Sequence, residues 1–262
     1  VNAMQRFYIV EKEDLGSREL GQKIRSALIS HHKEIDENNP QCVVTVGGDG
    51  TFLHAVHKFK HISEVVFVGL HTGTLGFFTN YEKDEVDTLI DHLLNQTPVI
   101  ESTHLIEARI THEQTVTILE ALNEVRIENI VRTQEIQVYI NQELMEIFRG
   151  NGLCVSGQAG STAYNRSIGG AIIVPGIDVL QLTEISGIHN KAYQSIRSPL
   201  VLPKDTSITL ISDNFKGAKI LYDHHVLDLD DVSKVEIITS TKKVNMARYR
   251  PTSYIKRLHC LF

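Results

Sequence analysis

Apolar residues in the first hundred positions follow two different periods. Compact runs at Phe7 to Val10, Cys42 to Val46 and Val65 to Leu70 alternate with stretches where apolar residues recur every three or four positions. These are Leu20, Ile24 and Leu28, then Phe52, Leu53 and Val56, then Val86, Leu89, Ile90 and Leu93. The runs read as buried strands and the spaced stretches as helices with one apolar stripe. Their alternation predicts strands joined by helices into a parallel sheet. After Pro98 the period changes. Ile106, Ala108 and Ile110 alternate with Glu107 and Arg109, and Ile136, Val138 and Ile140 alternate with Gln137 and Tyr139, as in half-buried strands. Further strand-like runs lie at Ile208 to Ile211, Ala218 to Tyr222 and Val235 to Ile238, and only Ala163 to Ile168 reads as helical among them. The expected fold class is α/β followed by β: a parallel-sheet domain over residues 1–98, then a β-rich domain of stacked sheets over 99–249. The boundary is expected near Gln96 to Ile100, and the tail 250–262, with Leu258, Leu261 and Phe262, is expected to pack back on the first domain.

Composition works mainly by exclusion. Lys and Arg number 26 against 32 Asp and Glu, a formal net charge of -6, which argues against broad contact with nucleic acid or an anionic membrane. Hydrophobic residues at 42% suit an ordinary folded domain. Cys42, Cys154 and Cys260 are too far apart for a C-x-x-C pair, and a reducing, cytoplasmic setting is expected. No apolar window reaches the roughly 18 residues of a membrane span. Val1 to Ala3 precede Met4, the expected native start, and are set aside.

The segment Val44-Thr45-Val46-Gly47-Gly48-Asp49-Gly50-Thr51-Phe52-Leu53 carries the first chemistry: a strand, a Gly-rich turn, then a helix. Gly47, Gly48 and Gly50 let backbone N–H groups converge without Cβ obstruction, and with Thr51 at the helix start they make a candidate phosphate cradle. Asp49 would repel a phosphate unless it holds magnesium or takes a proton from an attacking hydroxyl, so it points to phosphoryl transfer. The same residues also suit a tight turn in which Asp49 caps a helix from Thr51. The chain contains no G-x-x-x-x-G-K-[ST] loop, no G-x-G-x-x-G after the first strand and no H-E-x-x-H, and its 13 histidines are scattered, so no zinc is expected.

Several kinase families share a loop like Gly47 to Leu53. Two later motifs narrow the choice: Asn123-Glu124, and Gly160-Ser161-Thr162-Ala163-Tyr164-Asn165. With them come His71-Thr72-Gly73-Thr74-Leu75-Gly76-Phe77, Arg149-Gly150, Gln181-Leu182-Thr183 and Arg197-Ser198-Pro199-Leu200. In this order, from about Cys42 to Arg250, the set strongly resembles the NAD kinase family, whose members phosphorylate NAD to NADP. The resemblance implies NAD bound between two domains, ATP or polyphosphate as donor, a divalent metal such as magnesium, and a homodimer or homotetramer. It assigns the catalytic carboxylate to Asp49 and dinucleotide recognition to Asn123 and Glu124. A carboxylate suits a ribose diol, and an amide that both donates and accepts suits an adenine edge. Ser161, Thr162, Ala163 and Tyr164 would form a base pocket. A capping hydroxyl starts the helix, small Ala163 lets a flat base approach, and Tyr164 offers a ring. By the same resemblance Phe78, Ser167, Ser186, Ile188 and Asn190 are candidate wall residues, and Asp223-His224 is a candidate phosphate or ribose contact.

Two departures stand out. Where the family usually has Asp after Arg-Gly, this chain has Asn151, which removes a charge and adds a donor, so a weaker hold on the nicotinamide end is expected. Asn151-Gly152 also suits a hairpin turn. Where the family tends to have Thr-Pro, the chain has Ser156-Gly157-Gln158-Ala159, without proline's fixed φ. The expected activity is transfer of the terminal phosphoryl group of ATP or polyphosphate to the adenosine 2'-hydroxyl of NAD. The rivals are a non-catalytic NAD or NADP sensor and a lipid or small-alcohol kinase with the same loop.

Overall fold

The computed structural model describes residues 4–73, 76–113, 115–191, 193–213 and 215–262. In chain order the elements begin β1 (Arg6–Glu11), α1 (Leu15–Ser30), β2 (Glu34–Ile35), β3 (Cys42–Val46), α2 (Asp49–Phe59), β4 (Val66–His71), β5 (Tyr81–Glu82) and α3 (Val86–Asn95). Then come β6 (Val99–His112), β7 (Thr115–Ala121), β8 (Glu124–Glu128), β9 (Gln134–Ile140), β10 (Glu143–Gly150) and β11 (Gly152–Ser156). A four-residue α4 (Tyr164–Ser167) leads to β12 (Val179–Ile185), β13 (Leu200–Pro203), β14 (Ile208–Ile211), β15 (Lys219–Tyr222), β16 (His225–Asp228), β17 (Lys234–Arg248) and α5 (Tyr254–Leu261). The chain forms two compact units, one of residues up to Ser102 together with Lys242–Phe262, the other Thr103–Thr241. None of the described helices is long and apolar enough to cross a membrane.

In the first unit, β2, β1, β3, β4 and the end of β17 lie side by side, every pair parallel. All five residues of β3 and all six of β4 are buried, as expected of central strands covered on both faces. One core cluster takes Phe7, Ile9, Val44, Val46, Val68 and Leu70 from the sheet, Ile24 and Leu28 from α1, and Leu89 and Leu93 from α3. Asp14 starts α1 by accepting the Ser17 N–H at 2.9 Å.

The second unit is a pair of sheets around one core. One sheet runs β10-β9-β14-β17-β6-β7 and the other β13-β12-β11-β8-β15-β16, the latter antiparallel throughout. Ile106, Ile136, Val138, Leu210 and Val235 from the first pack with Val125, Ile127, Val155, Leu182 and Ile220 from the second. Strand alternation then fixes the far face of the second sheet. With Val125 and Ile127 turned into the core, Glu124, Arg126 and Glu128 share the opposite face of β8. Register places Ser156, Cys154 and Gly152 of β11 beside them in turn. Gln181 and Thr183 of β12 continue the face beside Ser156 and Cys154.

That polar face is covered by the segment after β11. The helix expected at Ala163 to Ile168 is instead a 3₁₀ turn over Ala159–Thr162 followed by the four residues of α4. Side chains explain why it stays short. Asn165 accepts the Thr183 hydroxyl at 2.7 Å, the Ser161 hydroxyl accepts the Ile173 N–H at 3.0 Å, and Gln181 both accepts from and donates to Ala171. These bonds hold the chain against the sheet where a longer helix would lift it away. The run expected at Val235 to Ile238 is the start of the 15-residue β17.

Candidate active site

In the first unit the Gly-rich turn leads directly into α2. Gly48 is the N-cap and makes no side-chain capping bond, so Asp49 is the first helical residue and not the cap of a helix from Thr51. Its carboxylate faces a different loop: Oδ2 accepts the Phe77 N–H at 2.8 Å and Oδ1 the Phe78 N–H at 3.1 Å. Gly76 makes this approach possible, since a Cβ there would lie 2.1 Å from Asp49 Oδ1. A Cβ on Gly47 would lie 2.2 Å from Thr51 Oγ1, whereas Gly48 and Gly50 face open space. The Gly47 N–H donates to the Leu70 carbonyl at 2.9 Å and the Thr51 N–H to the Gly48 carbonyl at 3.0 Å, so the amides that suit a cradle are those of Gly48, Asp49 and Gly50 at the start of α2. Thr74 and Leu75 lie outside the described residues.

The loop that meets Asp49 is itself anchored. Arg257 of α5 donates to the Phe77 carbonyl and, at 3.2 Å, to Asn80 Oδ1, which also accepts Arg248 Nη1 at 2.5 Å. Burial draws the Arg257 guanidinium below its ordinary range, and the Asp49 carboxylate opposes that shift. Phe78, expected to line the NAD site, is buried and stacks on Phe52 with ring centres 4.8 Å apart.

In the second unit Asn123 immediately precedes β8 and Glu124 opens it, and both are buried. Asp223 sets their position. It sits at φ 52°, and its carboxylate accepts the Leu122 N–H at 2.8 Å and the Asn123 N–H at 2.7 Å. The carboxylate expected to meet a phosphate or ribose is thus held by backbone amides of this same chain. Gly160 lets the covering segment pass close by, because a Cβ there would lie 1.9 Å from the Asn123 carbonyl oxygen.

Among the described residues, three buried oxygens at the start of this patch have no partner, Asn123 Oδ1, Glu124 Oε2 and Ser156 Oγ, and neither does Arg126 Nε further along β8. Ser156 pairs directly with Glu124 across β11 and β8, so two of the three are neighbours. Burial first, then the Asp223 charge, pushes the Glu124 carboxyl up to about 7; Arg126 pulls it back.

Tyr164 reaches the other end of β8. Its hydroxyl donates to Glu128 Oε1 at 2.6 Å, the same oxygen accepts Arg126 Nη1 at 2.9 Å, and the Arg126 guanidinium lies 3.7 Å from the ring centre. Burial and the Glu128 carboxylate push the phenol up to about 12. Thr162 and Ala163 are half-buried beside it. The exposed Ser167 turns its hydroxyl back to the Tyr164 carbonyl at 2.6 Å.

The remaining sequence candidates lie in exposed loops. Ser186 (φ 49°), Ile188 and Asn190 follow β12, and the Ile188 N–H donates to the Arg149 carbonyl at 2.7 Å. His224 is exposed in the turn between β15 and β16. Asn151 does not form a hairpin turn: β10 before it belongs to one sheet and β11 after it to the other. Its side-chain amide donates to the Asn129 carbonyl at 3.0 Å, while its own carbonyl accepts the Asn129 N–H at 2.8 Å. Arg126, Glu128, Gly76 and Arg257 were not sequence candidates. The alternation of Glu124-Val125-Arg126-Ile127-Glu128 was a usable signal for the first two, since it puts three charged residues on one strand face.

Comparison with known proteins shows the family of the chain. The ATP-NAD kinase N-terminal domain family matches residues 9–97, and the ATP-NAD kinase C-terminal domain family matches 122–249. The chain is 36% identical over 256 residues to NAD kinase 1 of Halalkalibacterium halodurans, covering 97% of each chain. It is 35% identical over 260 residues to NAD kinase 1 of Bacillus subtilis, covering 98% of each. In fold it is similar to yeast NADH kinase solved with NADH, at a TM-score of 0.87 and 20% identity, covering 98% of this chain and 87% of that one. It is likewise similar to an NAD kinase from Archaeoglobus fulgidus solved with ATP, at a TM-score of 0.75 and 21% identity, covering 94% of each. With both domain families matched in order and relatives aligned end to end, the chain belongs to the ATP-NAD kinase family.

Proposed function

We propose that this member of the family transfers the terminal phosphoryl group of ATP to the adenosine 2'-hydroxyl of NAD, with the two units supplying different parts of the chemistry. The first unit supplies the donor cradle and Asp49. Each Asp49 oxygen accepts one backbone N–H and keeps a lone pair, so the carboxylate can also accept the proton of an attacking hydroxyl. A magnesium ion suits the same group, because this ion is commonly held by one or two carboxylates with donor phosphates and water completing its shell. When bound, it would offset the charge on the donor's phosphates. Asp49 would hold it, and the first-turn amides of α2 would orient the phosphate chain.

The second unit supplies recognition of NAD, and the observation that carries this reading is the set of unpartnered buried atoms on Asn123, Glu124 and Ser156. Leaving a buried polar group unsatisfied costs about 1–3 kcal/mol, and a ribose with its base edge offers the hydroxyl and amine donors these acceptors lack. Between Glu124 and Glu128 an extended strand covers about 13 Å, enough for the patch to meet one nucleoside at its start and the Tyr164 ring further along.

A coupled assay for NADP formation from NAD and ATP tests the activity, and Asp49→Asn tests the chemistry. The variant is expected to lose turnover by at least about a hundredfold while still binding NAD. An Asp49→Asn enzyme with ordinary turnover would remove the role given to this carboxylate. Intact NAD binding by the unaltered chain with no NADP formed would leave the sensor reading in its place.

A further inference from the structure

Arg126 and Glu128 flank the proposed NAD site without belonging to any motif that identifies the family. Both side chains are mostly buried, at 18% and 15% exposure, and both lie on the polar face of β8 below Tyr164. Three contacts close a triangle: guanidinium to ring at 3.7 Å, guanidinium to carboxylate at 2.9 Å, phenol to the same carboxylate oxygen at 2.6 Å. A tyrosine ring has two side-chain torsions. Stacking on one face and a tether at the hydroxyl restrain both, and only the opposite face stays available to a flat partner. The arrangement is costly for a purely structural support. Buried Arg126 keeps an Nε–H with no acceptor, and a packed apolar pair of similar volume generally serves stability as well or better.

We propose that Arg126 and Glu128 are positioning residues that fix the plane of the Tyr164 ring so that its free face meets a base of NAD. The proposal rests on reading Tyr164 as part of the NAD-binding surface. Restraining the ring before binding removes an ordering cost from association, so the effect belongs in affinity for NAD and not in use of ATP.

The test is steady-state kinetics of the full chain with NAD and ATP varied separately, for Tyr164→Ala, Tyr164→Phe, Glu128→Ala, Glu128→Gln, Arg126→Met and the Tyr164→Phe/Glu128→Ala pair. Glu128→Ala, Tyr164→Phe and Arg126→Met are each expected to raise KM for NAD by about tenfold, with KM for ATP unmoved. The double variant should be no worse than Glu128→Ala alone, because the phenol-to-carboxylate bond is already lost in that single. Glu128→Gln keeps an oxygen that accepts the phenol proton and should restore most of the loss. In a spectroscopic titration of the tyrosines, Glu128→Ala should ionise one phenol at lower pH than the unaltered chain.

Additive effects in the double variant would overturn the proposal. So would an unchanged KM for NAD in Glu128→Ala when Tyr164→Ala raises it. An unchanged KM in Tyr164→Ala itself would overturn both the base-pocket reading and the clamp, which separates the two failures. Glu128→Gln and Tyr164→Phe remove single polar functions and preserve volume, so the comparison survives a Glu128→Ala chain that folds poorly.

Discussion

Asp49 shows how the position of one side chain can depend on a glycine elsewhere in the chain. Gly76 sits where any Cβ would fall 2.1 Å from its carboxylate oxygen, so Gly76→Ala is expected to push the carboxylate off the Phe77 and Phe78 amides. Turnover should fall by about a hundredfold with NAD affinity kept, as read by kcat and by direct binding. Glu124 gives a prediction in pH. Its folded carboxyl titrates near 7, above the ordinary 4.5, so the uncharged form favours the folded state. That contribution is fully present below about 4.5, declines as pH rises and is gone above about 7. Thermal unfolding of the ligand-free chain should therefore show a loss of stability between these limits that Glu124→Gln flattens. Affinity for NAD should move the opposite way, rising with pH across the same window, because a carboxylate accepts from two hydroxyls where a carboxylic acid must also donate. The family resemblance of several short motifs taken together, not pattern alone, singled out Asp49, Asn123, Glu124 and Tyr164 as candidates. It did not reveal that the Asp223 carboxylate accepts two amides a hundred residues earlier, since nothing in Asp223-His224 points to Leu122 and Asn123.

Among the elements, those with a strong period were readable and those made by side-chain bonds were not. β1, β3, β4, β14 and the three helices α1, α2 and α3 all lie where apolar spacing puts them. β10 was not visible because most of its residues are exposed or half-buried, and β17 looked finished at Ile238 because Thr239 to Lys243 is polar. The junction at Asn151 is the most instructive case. Its Asn-Gly pair suits a two-residue turn, yet tertiary pairing sends the flanking strands into different sheets, and the side-chain amide ties the crossing to Asn129. A carboxylate cannot make that bond and would face a carbonyl oxygen. Asn151→Asp is accordingly expected to destabilise the second unit by about 1–3 kcal/mol in urea unfolding. A neutral or stabilising result would show that the amide is not needed at the crossing.

For the molecule as a whole, the units are not arranged one after the other along the chain. The first is assembled from its opening residues to Ser102 and from Lys242–Phe262, and the second is the uninterrupted stretch between. Ending the chain before Tyr254 removes Arg257, and with it the hydrogen bonds to the Phe77 carbonyl and to Asn80. The truncated chain is expected to lose at least about tenfold in kcat while KM for NAD hardly changes, because the loss falls on the loop that meets Asp49 and not on the β8 face. A fall confined to KM would place the role of the tail elsewhere.

This split layout also has a consequence during translation. A growing polypeptide presents the Gly-rich turn long before α5, which anchors the loop that meets Asp49. Until α5 has been made and has docked, the loop that meets the Asp49 carboxylate would lack its Arg257 anchor.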